Sequence, residues 1–276
     1  LTAALAKIAE EDPSLALDQR PDLGNLRLCG QGEMHLRVAV ARLASRFGVT
    51  VDVRKPQIAY RETIRHAAQA RGRHKKQSGG HGQFGDVVLR VEPLPRGSGI
   101  VFTDTITGGV VPKQYIPSVE IGVREAAERG PLGFPVVDVK VTLTDGSYHS
   151  VDSSDMAFRA AAKLAMAEML PQAKPVLLEP MLAVEIAVPT EAMSKATAII
   201  SARRGQILGY DSRPGWLGWD LVNALIPEAE MDDLIVELRS ATAGVGSFSA
   251  RFDHLAELSG KPADQVVTAR AAAASA

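Results

Sequence analysis

The residues best equipped for chemistry form a cationic run that leads into a glycine loop. Arg61, Arg65, Arg71, Arg73, Lys75 and Lys76 are opposed only by Glu62, and "QSGGHGQFG", residues 77–85, follows at once. Gly80, Gly82 and Gly85 spell G-x-G-x-x-G. A dinucleotide site needs a strand before such glycines and a helix after them, whose free N–H groups receive the pyrophosphate. Here a strand follows: Val87, Leu89 and Val91 alternate with Val88 and Arg90. No G-x-x-x-x-G-K-[ST] loop occurs anywhere, so the sequence shows no nucleotide-triphosphate site of its own.

The alternative is a loop joining two strands, with glycines that let bare backbone approach a partner. Arg73, His74, Lys75, Lys76 and Gln77 lead into it; Ser78, Gly79, Gly80, His81, Gly82, Gln83 and Phe84 form its body. Cations for phosphates, amides for base or ribose edges and an aromatic ring for stacking are the means of binding RNA without a duplex-groove code. A solvated hairpin tip has the same composition, and both readings stay open at this point. A second loop, "DGSYHSVDSS", pairs with the first, and its Tyr148 and His149 could reach a ligand. Ser147, His149 and Asp152 do not make a hydrolytic triad, being crowded on one turn without a G-x-S-x-G elbow. His74, His81 and His149 lack Cys or carboxylate partners at metal-ligand spacing. Arg203 and Arg204 end a helix in "SARRGQI", where cations offset the carbonyl dipole; the functional alternative is a phosphate contact on RNA.

These groups need elements to position them. The chain has 276 residues, 46% of them hydrophobic, enough for two or three domains with real cores. No apolar run reaches membrane-spanning length, and the N-terminus lacks a basic segment followed by an apolar one, so no membrane or export is expected. The absence of Met at position 1 suggests a piece of a longer protein. Net charge is −1, so any attraction for nucleic acid must be local. The single cysteine, Cys29, excludes an internal disulfide, fits a reducing cytoplasm, and sits in an apolar stretch that predicts a core position.

Periodicity predicts a helix over 1–12, a strand at "NLRLCG", a helix over 33–47 with Gly48 as its left-handed end, and a strand at "VTVDV". The middle region reads as strands at "DVVLRVEPL" and "GIVFTDTI", a helix at "PSVEIGVREAAERG", and a strand with a D-G turn at "PVVDVKVTLTDGSYHS". A helix then starts after Ser154 as N-cap and ends at Pro171, its apolar face formed by Phe158, Ala161, Ala162, Ala165, Met166 and Met169. "QAKPVLLEP" resembles a linker. The last region reads β-α-β-β-α-β, the split βαβ or ferredoxin-like order, with Thr190 capping its first helix, and a short helix closes the chain.

"GQGEMHLRVAV", "KPQIAYRETIR", "HKKQSGGHGQFGDVV", "GFPVVDVKVTLTDGSYHSVDSSDMAFRAAA", "RRGQI" and "LRSATAGVGSFSARFDH" occur in that order. Over nearly its whole length the chain resembles the C-terminal three domains of bacterial translation elongation factor G. The resemblance implies an α+β chain of three domains. Residues 1–58 would be a ferredoxin-like sandwich. Residues 59–178 would be a ribosomal-protein-like βαβ domain bearing the two tip loops, rejoined by a C-terminal helix at 255–276. Residues 179–254 would be a second ferredoxin-like sandwich. It implies no catalysis in this piece; GTP and magnesium would belong to the full-length GTPase. Partners would be the ribosome, its RNA, and tRNA–mRNA, met by a monomer in the cytoplasm. The contact residues carried over are Lys75, Lys76, Gln77, Ser78, Gly79, Gly80, His81, Gly82, Gln83 and Phe84 in one loop, Tyr148 and His149 in the other, and Arg203 and Arg204 further on. His81 and Val245 stand where the family pattern has cations, which implies a divergent member; ribosome recycling or protection, or binding of another RNA or protein complex, are the alternative roles.

Overall fold

A computed structural model describes residues 1–20, 25–76 and 82–275. The chain is mixed α+β and divides into two compact units. The first comprises Leu1–Ala59, Val184–Ile226 and Glu230–Ala250; the second comprises Tyr60–Ala183, Pro227–Ala229 and Arg251–Ala276.

The first unit opens with α1 (Thr2–Glu11), β1 (Ala16–Arg20), β2 (Asn25–Cys29) and α2 (Glu33–Phe47). β1 and β2 are antiparallel, and Leu5, Ile8, Leu15, Ala39 and Leu43 form the core beneath them. α-β-β-α is the order of the middle four elements of a split βαβ motif. Gly48 takes the left-handed conformation at the end of α2 (φ 63°) as expected. β1 replaces the strand expected at "VTVDV", which lies outside regular structure. Alternation there makes one apolar side, and Val51 packs on the core, but none of the described strands offers a ladder and Val53 is exposed. Cys29 is exposed and not in the core. Partial burial still pushes its thiol pKa up, which lowers its thiolate fraction.

The segment expected to be a linker is a strand. β8 (Pro175–Pro189) starts at Pro175, where a missing N–H is tolerated, and buries Val176, Leu177 and Leu178. Its first half pairs antiparallel with β3 (Arg61–Ile64). Then come α5 (Met193–Ala202), β9 (Gln206–Ser212), β10 (Trp219–Pro227), α6 (Leu234–Ala241) and β11 (Ser247–Leu258). The strand order β11-β8-β10-β9 is that of the ferredoxin-like sheet. Thr190 does not cap α5. It starts a short 3-10 turn, Thr190–Ala192, and no side chain caps the helix. The C-terminal helix is shorter than 255–276 because β11 runs on to Leu258; α7 occupies Lys261–Ser275.

The second unit holds the two loops. β4 (Ala68–Lys76), β5 (Gln83–Pro93), β6 (Ile100–Asp104) and β7 (Val139–Ser147) form a sheet in the order β4-β5-β7-β6. β6 and β7 are parallel and joined through α3 (Ile116–Ala127); the other pairings are antiparallel. α4 (Asp155–Gln172) follows β7, and the Ser154 side chain accepts from Ala157 N–H, so the expected cap is formed. Val87, Leu89 and Val91 of β5 and Val139, Val141 and Leu143 of β7 turn into one core with Val119, Val123, Phe158, Met166 and Met169. Glu62, the one acid of the cationic run, is structural: its buried carboxylate accepts from the N–H groups of Leu132 and Phe134 at 3.0 Å each.

Candidate nucleic-acid interface

β4 and β5 run to one end of the four-stranded sheet, and the β7–α4 connection leaves from the same end. Strand alternation sorts the cations of β4. Arg71, Arg73 and Lys75 lie on the exposed face, while Gly72 is buried against the helix layer. Lys75 pairs in register with Phe84, and Lys76 with Gln83. The Arg73 guanidinium lies 5.4 Å from the Phe84 ring centroid, and His74 shares a 2.9 Å hydrogen bond with Gln83. Lys75 and Lys76 are exposed, with no ion-pair partner among the described residues.

The second loop is laced to the first. Gly82 N–H donates to Asp152 Oδ1 at 3.0 Å, and Phe84 N–H donates to Asp152 O at 2.8 Å. Ser153 Oγ donates to Phe84 O at 2.9 Å and accepts from His149 N–H at 2.9 Å. The rings of Phe84 and His149 are 6.3 Å apart. His149 Nδ1 lies 3.3 Å from the Val151 N–H, 3.2 Å from the Asp152 N–H and 3.4 Å from Asp152 Oδ2, which ties the ring to its own loop. Tyr148 and Val151 are exposed beside it. The described parts of the two loops therefore present one surface of cations, flat rings and a hydrogen-bonding imidazole. Gln77, Ser78, Gly79, Gly80 and His81 lie outside the described residues.

An ion pair with a buried acid and an exposed-face cation stands at the root of both loops. Asp86 is fully buried; Arg71 grips it with Nε at 2.8 Å and a terminal nitrogen at 2.5 Å, and Ser147 Oγ donates to it at 2.6 Å. Burial pushes the Asp86 carboxyl up, but these bonds and the charges of Arg71 and Arg73 outweigh it and hold the pKa below the ordinary aspartate range. Ser147 is thus committed to Asp86, which also removes it as a nucleophile. Sequence reasoning missed Asp86, Asp152 and Ser153 as organisers of the site, because nothing local marks an acid as the partner of a cation fifteen residues earlier or of a backbone seventy residues away.

Gly82 and Gly85 serve the fold. A Cβ on Gly85 would lie 2.4 Å from Ala157 O in α4, and one on Gly82 would lie 2.7 Å from the Asp152 carboxyl carbon. The bare backbone expected to approach an outside partner approaches the second loop and the helix. Arg203 and Arg204, in the other unit, are also engaged at home. Arg203 donates to Glu230 O and Asp232 O at 2.7 Å each and to Glu237 at 2.8 Å, and Arg204 pairs with Glu230 at 2.9 Å. Among the described residues, no group of three or more His, Cys, Asp or Glu could hold a metal ion, and no helix is long and apolar enough to cross a membrane.

By class this is an α+β module that presents a cationic, aromatic pair of loops from a rigid sheet end. Family models for elongation factor G match it in order: domain III over residues 1–55, domain IV over 56–174 and the C-terminus over 176–266. An "Elongation factor G-like protein" from Synechocystis sp. is 54% identical over 261 residues, which cover 95% of this chain and 39% of that protein. A crystal structure from Thermus thermophilus superposes with a TM-score of 0.86 at 43% identity, covering 98% of this chain and 40% of that one. The chain belongs to the elongation factor G family, and it spans about two fifths of the length of these relatives.

Proposed function

We propose that the chain is the ribosome-contacting part of a GTP-hydrolysing translation factor, whose paired loops enter the decoding site and hold tRNA–mRNA during translocation. The observation that carries this reading is the lacing of the two loops through Asp152 and Ser153 into one surface. Arg73, Lys75 and Lys76 neutralise phosphates, Phe84 and Tyr148 offer faces for stacking, and the His149 imidazole hydrogen-bonds a ribose or base edge. Gln77–His81 belong to the same contact set. None of these residues needs a covalent role. They bind, and a bias between two docked conformations does the rest. GTP and magnesium are assigned to the remainder of the full-length protein, acting as a cytoplasmic monomer.

Lys75→Ala with Lys76→Ala is expected to weaken ribosome binding by full-length protein and to flatten its salt dependence by roughly 1.4–1.8 in log–log slope, the share of two phosphate contacts. Co-sedimentation with a non-hydrolysable GTP analogue across a salt series measures both; an unchanged slope would count against the tip as an RNA contact. His149→Ala is expected to slow single-round translocation more than it weakens binding, because the exposed ring holds no part of the core. Unaltered translocation would remove His149 from the set.

A second reading, a divergent member serving ribosome recycling or protection, is favoured by Val245. This exposed residue follows α6 where the family pattern has a cation, and Arg203 of the same unit is engaged internally. Ribosome splitting by the full-length protein without translocation would select it.

A further inference from the structure

The β9–β10 hairpin ends in a rigid apex that exposes apolar side chains. Trp216 N–H donates to Arg213 O at 3.1 Å and Trp219 N–H to Trp216 O at 3.3 Å, giving two successive turns. Gly215 and Gly218 take φ of 77° and 76°, as the third position of type II turns requires. Arg213 N–H closes the hairpin on Trp219 O at 2.9 Å, and Thr190 N–H buttresses it on Gly218 O at 3.0 Å. The two tryptophan rings meet edge to face at 5.2 Å, and the Arg213 guanidinium lies 4.0 Å from the Trp216 centroid. Leu217 at the apex is nonetheless fully exposed, and Trp216 is half exposed.

This exposure gives the fold no packing, and a preorganised Trp and Arg pair resembles the anchors that dominate protein interfaces, with Leu217 adding exposed apolar area beside it. The surroundings choose the partner. Glu191, Asp211 and Asp220 adjoin the apex in chain or register and outnumber Arg213, the one cation of the hairpin tip, whose guanidinium stacks on the Trp216 ring. An acidic collar repels RNA phosphates and anionic lipid, and it complements a basic rim. We propose that Trp216 and Leu217 insert into an apolar pocket, rimmed by basic side chains, on a protein component of the ribosome; this rests on the ribosome-binding reading above.

The test uses full-length protein with Leu217 replaced by p-benzoylphenylalanine, irradiated on purified ribosomes with a non-hydrolysable GTP analogue. The expected adduct is on a ribosomal protein. Leu217→Ser is expected to lower ribosome affinity about tenfold, leaving the salt slope and the unfolding midpoint unchanged, since the side chain touches no core. Five results overturn the proposal: an adduct on RNA, an adduct within the same polypeptide or on a second copy, no adduct although the protein co-sediments, undiminished affinity of Leu217→Ser, or Leu217-dependent flotation with phosphatidylglycerol vesicles. If the unsubstituted protein does not co-sediment at all, the ribosome-binding reading fails and this docking site with it.

Discussion

Replacing Gly72 by alanine is expected to destabilise the second unit by about 3 kcal/mol or more, the upper part of the range for overpacking. An added Cβ would lie 2.0 Å from Ala161 O, 2.5 Å from Ala165 N and 2.9 Å from Ala165 Cβ. Two of these atoms are helix backbone and cannot rotate away. α4 cannot retreat cheaply, because Ala161, Ala162 and Ala165 are wholly buried in the packed layer. β4 cannot retreat either without giving up its ladder with β5, which carries the root of the first loop. Gly209→Ala is the control: it sits in a strand with nothing within 4 Å of the added atom. Urea unfolding of both variants decides the matter. A loss below about 1 kcal/mol for Gly72→Ala would mean that the sheet and helix are less closely packed than described.

Asp86→Asn is expected to cost about 2–4 kcal/mol near neutral pH, because it removes the buried charge of a half-buried pair and faces an amide N–H₂ toward the donors of Arg71 and Ser147. The cost stays below the largest values for buried pairs, since Arg71 is 60% exposed and its freed charge can be hydrated. The pH dependence has a definite sign. The folded-state pKa of Asp86 is lowered, so the folded chain binds a proton less readily than the unfolded one. Its contribution is complete above the unfolded value of about 4 and is lost as pH falls through the folded value. The stability gap between wild type and Asp86→Asn should therefore narrow on acidification. A gap that stays constant down to low pH would show that the carboxylate charge is not what holds the loop roots. Asp12 behaves alike in both proteins. Its pKa is lowered to about 2 by bonds from Ser14 and His35, so it adds the same acid lability to each curve.

Much of the fold was legible because local periodicity reports which side of an element is buried. Val87, Leu89 and Val91 marked β5, the apolar face from Phe158 to Met169 marked α4, and Ser154 marked its start. The split βαβ order of the last region followed from the same pattern. Misreadings arose where a local signal had two causes. "QAKPVLLEP" resembled a linker but holds the start of β8, where Pro175 costs no ladder bond and Pro180 falls inside the strand. "VTVDV" alternated without a strand to pair with among the described residues. Cys29 sat among apolar neighbours at a strand end that is exposed.

The order of amino acids was enough to set the classes of side chain at the candidate site and the two loops that carry them, because composition and turn chemistry are local properties. Which of those side chains are available was settled by three-dimensional packing. Arg71 and Lys75 are both exposed-face cations of β4, yet Arg71 is bound to Asp86 and Lys75 has no ion-pair partner among the described residues. Of the glycines that suggested an outside ligand, Gly85 faces α4 and Gly82 faces Asp152. Pairing and close approach depend on residues far apart in the chain, and a one-dimensional pattern contains no term for the distance between them.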